Sequence, residues 1–237
     1  MDSRVTLNYP RAITLGVVSE AKLLGRLFKK RNKDPLWDHF INQPPADPSN
    51  DLTAAVASAA EGRVFPVKSN DDDPEITSRY LKELAQWWGA DSVGIVALNP
   101  DSATAHVQPD PGSGADWTLE AQGEVQSESL PSAGQPYRFA VVCTAVADHD
   151  PSESKGIGGQ QAALNAAVVN QHMSAYIREL GYRASVGRLE PIPLAEAAGL
   201  GVRDQKGRLT TGKQGSYIHV SDAVLTDLPL IADGNSN

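Results

Sequence analysis

The sequence predicts an α+β protein, because strongly helical and strongly extended patterns both occur along its 237 residues. Residues 161–180 are apolar around most of a helical surface, as in a central buried helix. Residues 137–146 are rich in β-branched side chains and indicate a buried strand. Residues 216–225 form a second β-rich run. The length suits one large domain or two small ones. We expect one main domain, residues 71–237, after a helical N-terminal segment, residues 1–70.

For the N-terminal segment, the sequence predicts short helices and a strand joined by loops. In order, the patterns indicate a strand at residues 12–18, a helix at 19–30, one or two helical turns at 34–41, a proline-rich loop at 43–50 and an alanine-rich helix at 51–60, closed by Gly62. The basic run at residues 29–31 is expected to be a solvated helix end, which the helix dipole favours.

For the main domain, the sequence predicts a first helix and then strands before and after the long central helix. Asp73 and Pro74 are a strong helix start, and the apolar residues of this helix recur at i+4 steps: Ile76, Tyr80, Leu84 and Trp88. Strands are expected at residues 91–98 and 183–186, with a turn-rich stretch at 99–134 and a polar loop at 148–159. This loop contains Gly156-x-Gly158, which lacks the spacing of a dinucleotide fingerprint.

Composition excludes several classes of function. A net charge of −8 argues against a nucleic-acid partner. No apolar run reaches 18 residues, so we expect no membrane span, and without a signal-peptide pattern we expect a cytoplasmic protein. The single cysteine, Cys143, cannot ligate an iron–sulfur cluster alone, and in a buried strand its thiol should be inert. The histidines show no paired spacing, so a metal site built from the protein alone is not expected.

The most specific stretch is residues 194–230. A short helix at 195–198 would end at Gly199, followed by a polar loop at 202–215, the β-rich run and the turn TDLPL at 226–230. Five glycines were expected to allow a positive φ and close approach of a ligand, at positions 199, 201, 207, 212 and 215. A near-match to a Walker A loop, Gly207 to Gln214, is attributed to chance because it follows a helix and precedes a strand.

This stretch resembles the corrinoid domains of reductive dehalogenases and epoxyqueuosine reductases. The matching residues are AGLG at 198–201, Gly207, Gly215 and TDLPL at 226–230, with a weaker match at 176–182. The resemblance reaches back to about Ile76 and implies a nitroreductase-like α/β sandwich that binds cobalamin. It implies cofactor contacts from these residues: Gly199, Leu200, Gly201, Gly207, Thr210, Thr211, Gly215, Ser216, Tyr217 and His219.

The sequence also departs from these families. Their TDLPL turn is followed by cysteine-rich ferredoxin motifs, whereas seven residues follow Leu230 here. We therefore expect no iron–sulfur cluster, and electrons from a separate ferredoxin or flavoprotein. The dehalogenases' catalytic tyrosine has no counterpart between residues 141 and 169, and Asp148 and Asp150 are the nearest carboxylates. A non-catalytic cobalamin-binding or trafficking protein, or an FMN-binding protein of the same fold, stays open.

His219 is the predicted catalytic residue. The resembling dehalogenases carry a basic residue near this position, so His219 could donate a proton or an axial nitrogen to cobalt. An unperturbed imidazole titrates near pH ~6.5 and can move protons at neutral pH. Strand alternation would place it on one face with Tyr217 and Ser221. The alternative is a structural histidine in the core.

Overall fold

The computed structural model describes residues 34–69, 73–98, 137–187 and 189–234. The elements in these ranges are helix α1 (Pro35–Asn42), a 3₁₀ turn (Pro48–Asn50), α2 (Leu52–Ala57), α3 (Pro74–Trp87), strands β1 (Ser92–Ala97) and β2 (Phe139–Val146), α4 (Gln161–Glu179), β3 (Ala184–Gly187), α5 (Pro191–Ala197), β4 (Val202–Arg203), β5 (Leu209–Thr210), β6 (Ile218–Val220) and β7 (Ala223–Thr226). This mixture confirms the α+β class. The elements expected at 12–18, 19–30 and 99–134 lie outside the described residues.

Strand β2 is the centre of an antiparallel sheet with the order β1-β2-β7-β3. It pairs with β1 along one side, and with β7 and then β6 along the other side. The outer strand β3 pairs with β7. The side chains of β2 alternate between two cores, with Val141 and Cys143 on one face and Val142 on the other.

The sheet separates two layers. Helices α3 and α4 cover one face, where Leu81, Met173 and Ile177 pack against β1 and β2. Helix α5 and the β4–β5 hairpin cover the opposite face, where Ala195 and Leu209 pack against Val142. These two faces are called the α4 face and the α5 face below.

The predicted start of α3 and end of α4 are confirmed. Asp73 accepts a hydrogen bond from the peptide N–H of Glu75 at 2.9 Å, with Pro74 in the first turn. Gly181 follows α4 with φ +85°, the left-handed conformation typical of a helix end. The alanine-rich helix α2 is shorter than expected and ends at Ala57.

The i+4 stripe of α3 turns toward the core only at its C-terminal end, where Leu84 and Trp88 are partly buried and Trp88 packs against the core. Ile76 and Tyr80 are about half exposed, whereas the buried residues are Ser78, Leu81 and Ala85. Successive i+4 steps rotate by about 40° around a helix with 3.6 residues per turn. Residues spaced by i+3 and i+4 in alternation stay closer to one side, and this side contacts the sheet.

The N-terminal segment packs against the loop that precedes α4. The peptide N–H groups of Gly156 and Gly158 donate to the carbonyls of Ile41 and Phe40 at 2.7 and 3.0 Å. A Cβ at Gly158 would lie 2.1 Å from the Phe40 ring. The Gly156-x-Gly158 pattern therefore serves a close approach of α1.

Candidate functional site

The AGLG sequence forms the end of helix α5. This helix begins at Pro191, four residues before the expected start, and proline at the first helical position favours helix initiation. The peptide N–H of Gly199 donates to the carbonyl of Glu196, and φ of Gly199 is +72°. Gly199 thus turns the chain out of the helix. The side chain of Leu200 packs into the α5-face core.

The expected polar loop at 202–215 is instead largely a hairpin, so that prediction was wrong in its local structure. Val202 pairs with Thr210 and Arg203 with Leu209. The turn is held by Asp204, whose carboxylate accepts from the peptide N–H groups of Lys206 and Arg208 at 2.8 and 2.9 Å. These bonds lower the pKa of Asp204, the peptide of Arg208 having the largest effect. The Asp204 side chain therefore forms the turn that pairs β4 with β5. The strands themselves lack the alternating β-branched residues that would have predicted a hairpin.

Two of the hydroxyl groups expected to contact a cofactor take part in the hairpin's own structure. The Thr210 hydroxyl donates to the carbonyl of Val202 at 2.9 Å. The Thr211 hydroxyl accepts from the peptide N–H of Gln214 at 3.0 Å, within a tight turn in which Thr211 and Gly215 exchange backbone bonds. Ser216 is partly exposed and Tyr217 is about half exposed.

The glycines between residues 199 and 215 fall into two groups. Gly199, Gly207 and Gly215 have φ of +72°, +78° and +59°, as expected, and a Cβ at any of them would meet no atom within 4 Å. The expected positive φ at Gly201 and Gly212 was wrong. Gly201 instead permits a close contact, because a Cβ there would lie 2.5 Å from the carbonyl oxygen of Thr210.

A β-bulge sets the direction of His219. Val141 pairs with Val224 and Thr144 pairs with Val220, so three residue steps on β2 oppose four steps on the returning strand. The extra residue lies at Ser221 and Asp222, between β6 and β7. A bulge reverses which face the alternating side chains occupy along the bulged strand.

Ser221 stabilises this bulge from both sides. Its peptide N–H donates to the carbonyl of Cys143 at 2.9 Å, and its hydroxyl accepts from the peptide N–H of Cys143 at 3.1 Å. Both the backbone and the hydroxyl of Ser221 are therefore hydrogen-bonded to strand β2. Strand alternation had predicted that Ser221 lies on the same face as His219, and this does not describe its role in the bulge.

His219 lies on the α4 face of the sheet. It pairs with Ala145, which packs against Ala162 and Ala166 of α4, and paired residues of antiparallel strands share a face. Burial, and secondarily the positive charge of Lys155, lower the pKa of His219 to about 4. The imidazole is therefore neutral at pH 7, and it does not titrate near pH ~6.5 as an unperturbed histidine would.

His219 lines a cleft of about 280 Å³ between α2, α4 and β6. Alanines form much of its wall, at positions 57, 163, 166 and 167, and Pro191 and Val186 close one side. Asn170 of α4 also lines it and is 3% exposed. Its Nδ2 donates to the carbonyl of Asp222 at 2.8 Å, while its Oδ1 has no hydrogen-bond partner within the described part of the chain.

The sheet therefore separates His219 from most of the expected cofactor contacts. His219 faces α4, while the core of the hairpin, at Leu209, packs on the α5 face. The two regions approach at the end of β2. Here Arg208 bonds to Asp204 within the turn and reaches Asp150, before α4, at 3.0 Å.

Sequence reasoning missed Asn170, Arg208 and Lys155 as parts of this site. Asn170 had one signal, a polar residue directly after the apolar run at 166–169. With Ser174 and Arg178 it forms a buried polar row at i+4 steps along α4. Asp150, considered as a possible acid, has a pKa below its usual range, chiefly through bonds from Ser152 and also through Arg208. It is a carboxylate at neutral pH and holds the hairpin turn.

The TDLPL turn closes the domain around the sheet. The Thr226 hydroxyl donates to the carbonyl of Arg183 at 2.8 Å and accepts from the peptide N–H of Leu228. Asp227 forms an ion pair with Arg183 at 2.9 Å. These contacts confirm that Thr226 and Asp227 shape the turn, and the burial of Leu228 and Leu230 anchors it in the core.

In the described ranges no helix has the length and hydrophobicity to cross a membrane. The same residues contain no group of three or more His, Cys, Asp and Glu side chains placed to hold a metal ion. Cys143 is buried, as expected, and burial raises its pKa to about 12. That its thiol is inert stays a prediction.

The fold is related to that of reductive dehalogenases. The chain matches the catabolic reductive dehalogenase NpRdhA with a TM-score of 0.54 and 21% identity over 77% of this chain and 26% of that one. It also matches a second reductive dehalogenase, whose structure suggests a mechanism for B12-dependent dehalogenation. The TM-score of this match is 0.51, and the identity is 23% over 81% of this chain and 27% of the other.

A more distant similarity links the chain to epoxyqueuosine reductase from Bacillus subtilis, with a TM-score of 0.39 and 16% identity over 67% of this chain and 47% of that one. No family model and no curated protein matches the sequence. The chain spans about a quarter of the length of the dehalogenases it matches.

Proposed function

We propose that this chain is a cobalamin-binding domain with a nitroreductase-like fold that acts in a reductase and receives electrons from a separate ferredoxin or flavoprotein. The observation that carries the proposal is the fold similarity to two reductive dehalogenases over about four-fifths of the chain. The AGLG-to-TDLPL segment, which carries the sequence resemblance, supports it, because in this chain it forms a paired hairpin and a hydrogen-bonded turn.

The donor groups in the described residues fit a corrinoid in their chemistry. A corrinoid is large, rich in amides and carries a metal, so it suits main-chain partners and neutral ligands. Gly199, Gly207 and Gly215 leave open space beside the backbone of the hairpin. Across the sheet, His219 offers an uncharged imidazole and Asn170 an unpaired amide oxygen. When bound, the corrinoid would supply a cobalt centre that can change oxidation state.

Each of these residues has a specific part in the proposal. A neutral imidazole nitrogen is a common metal ligand. With its lowered pKa, His219 would therefore hold the cobalt through nitrogen rather than donate a proton as an imidazolium. The cleft beside His219, at about 280 Å³, lies below the roughly 300–1,000 Å³ of drug-sized sites. It would therefore hold a part of the cofactor or a small molecule. The hairpin backbone would contact the larger part at the end of β2, where the two regions approach each other.

A second candidate is a protein that holds cobalamin without turnover. It is favoured by the protonation states at the site, because His219 is neutral and Asp150 is ionised at pH 7. Neither group is then in the form that donates a proton readily. The two candidates share the cofactor and differ in whether a reductant and a substrate produce turnover.

The test is a titration of the full chain with hydroxocobalamin and, separately, with FMN, followed by calorimetry and visible absorption. We expect one corrinoid per chain and no saturable binding of FMN. The variant His219→Ala should shift the cobalt absorption bands if His219 is an axial ligand. His172→Ala is the matched control, because His172 is an exposed histidine of the same α4 helix that stacks on Trp88. Tight binding of FMN without binding of hydroxocobalamin would refute the proposal.

A further inference from the structure

The cleft beside His219 contains an incomplete hydrogen-bonding group. Asn170 is 3% exposed, and its Oδ1 has no partner among the described residues. The orientation of this amide is fixed, because its Nδ2 donates to the carbonyl of Asp222 at 2.8 Å. A buried acceptor without a donor is unfavourable, and native proteins rarely leave one unpaired. Asn170 is one of the residues that line the cleft, so a molecule bound there is the nearest source of the missing donor.

The shape of the cleft limits the size of this molecule. Its volume is about 280 Å³, and small side chains such as Ala163 and Ala167 keep it open along α4. A leucine at either position would occupy much of this space. The rest of the wall is mixed: Val186, Pro191 and Val220 are apolar, whereas Thr53, Gln171, Ser221 and Asp222 are polar. Such a site suits a small molecule with an apolar side against the alanines and a polar group directed at Asn170.

The charges around the cleft limit the charge of the molecule. An anion without a hydrogen-bond donor would leave Asn170 Oδ1 unpaired. The one carboxylate in the wall, Asp222, is exposed to solvent, so a cation would lose water next to the alanine wall without a buried counter-ion, which is costly. It would also meet the positive charge of Lys155, which acts on His219 in the same cleft. A neutral molecule with an N–H or O–H group avoids both costs, and the neutral imidazole of His219 can accept or donate a second bond.

We propose that the cleft between α2, α4 and β6 is a binding site for a small uncharged ligand that presents an N–H or O–H donor, as a primary carboxamide does, to Asn170 Oδ1. This site goes beyond corrinoid binding and does not depend on it. Two sources have the required chemistry: a carboxamide arm of the proposed corrinoid, or a free carboxamide or hydroxyl compound.

The test uses four probes of nearly equal size on the full chain, followed by NMR titration. Benzamide is neutral and has donors, acetophenone is neutral without donors, benzoate is an anion and benzylamine is a cation at pH 7. We expect benzamide to bind at least about tenfold more tightly than the other three, because only benzamide satisfies Asn170 Oδ1 without a charge. Equal affinities across the series, or no binding of benzamide, would overturn the proposal.

Variants test whether benzamide binds in this cleft. A second variant keeps the test informative if the first one does not fold. Asn170→Leu should remove the preference for benzamide, with Asn165→Leu as its control on the exposed side of the same helix. Since Asn170→Leu also loses the bond to Asp222, Ala167→Leu provides a second variant that fills the cleft from a partly exposed position. It should reduce benzamide affinity at least about tenfold. An unchanged affinity in folded Ala167→Leu would refute the location.

A last comparison separates the two sources of the ligand. If the protein saturated with hydroxocobalamin no longer binds benzamide, a carboxamide arm of the corrinoid occupies the cleft. If both bind together, the site takes a free ligand. If hydroxocobalamin does not bind at all, the probe series still tests the cleft, so failure of the proposed function and failure of this inference give different results.

Discussion

Gly201→Ala should destabilise the β4–β5 hairpin through overlap of atoms. Gly201 has no positive φ, but an added Cβ would lie 2.5 Å from the carbonyl oxygen of Thr210 and 3.1 Å from the Leu209 side chain. That carbonyl belongs to a residue paired with Val202, so it cannot retreat without opening a pairing of only two residues per strand. Overpacking of this kind costs about 1–3 kcal/mol, and we expect the free energy of unfolding to fall by that amount.

Two neighbouring glycines separate this cause from backbone strain. Gly207→Ala places a side chain at φ +78° with no atom within 4 Å, so its cost should be the left-handed strain alone, about 1–2 kcal/mol. Gly212→Ala has neither a close atom nor a positive φ. Its effect should lie within about 0.5 kcal/mol of zero, or stabilise slightly by restricting the unfolded chain.

The three variants are compared by urea unfolding monitored by circular dichroism, with equal m-values as the check that each still unfolds in one transition. Under the proposed function, Gly201→Val should also weaken binding of hydroxocobalamin more than it lowers stability. The reasoning is refuted if Gly201→Ala is as stable as Gly212→Ala, since the hairpin would then accept a Cβ at the contact described here. Equal cobalamin affinity in folded Gly201→Val would show that this part of the hairpin does not contact the cofactor.

Two further outcomes follow from titratable groups. Because the pKa of His219 is about 4 in the folded protein and ~6.5 when unfolded, the unfolded state binds more protons between these values. The free energy of unfolding should therefore be constant with respect to His219 above pH ~6.5 and fall by at most about 3 kcal/mol toward pH 4. His219→Ala should flatten this part of the pH–stability curve, and an unchanged slope would contradict the lowered pKa. Cys143, with its pKa raised to about 12, should resist a thiol reagent at pH 8 in native protein and react after unfolding in urea. Rapid labelling of the native chain would contradict its burial.

The long-range pairing of the sheet explains where prediction from the sequence reached its limit. Alternation along residues 216–225 indicated a strand, and the structure has strands β6 and β7 within that run. The bulge between them depends on Ser221 meeting the backbone of Cys143, 78 residues earlier in the chain. Nothing in the local alternation marks such a register change, so the face on which His219 lies could not be deduced from its neighbours.

Local chemistry gave reliable results where the deciding contacts are close in sequence. The start of α3 at Asp73 and Pro74, the end of α4 at Gly181 and the positive φ of three hairpin glycines follow from backbone preferences of the residues themselves. The same reasoning failed at Gly201, because the reason for glycine there is a carbonyl brought close by the hairpin.

By itself, the sequence determined the α+β class, most helices and strands, and the segment from residue 198 to 230 that carries the family resemblance, because periodicity, caps and turns act over a few residues. The tertiary structure decided which side chains meet. It separated His219 from the hairpin by a sheet, joined the hairpin turn to Asp150 through Arg208, and placed Asn170 beside His219 in one cleft. These arrangements depend on strand register and layer packing between residues far apart in the chain, which local preferences do not encode.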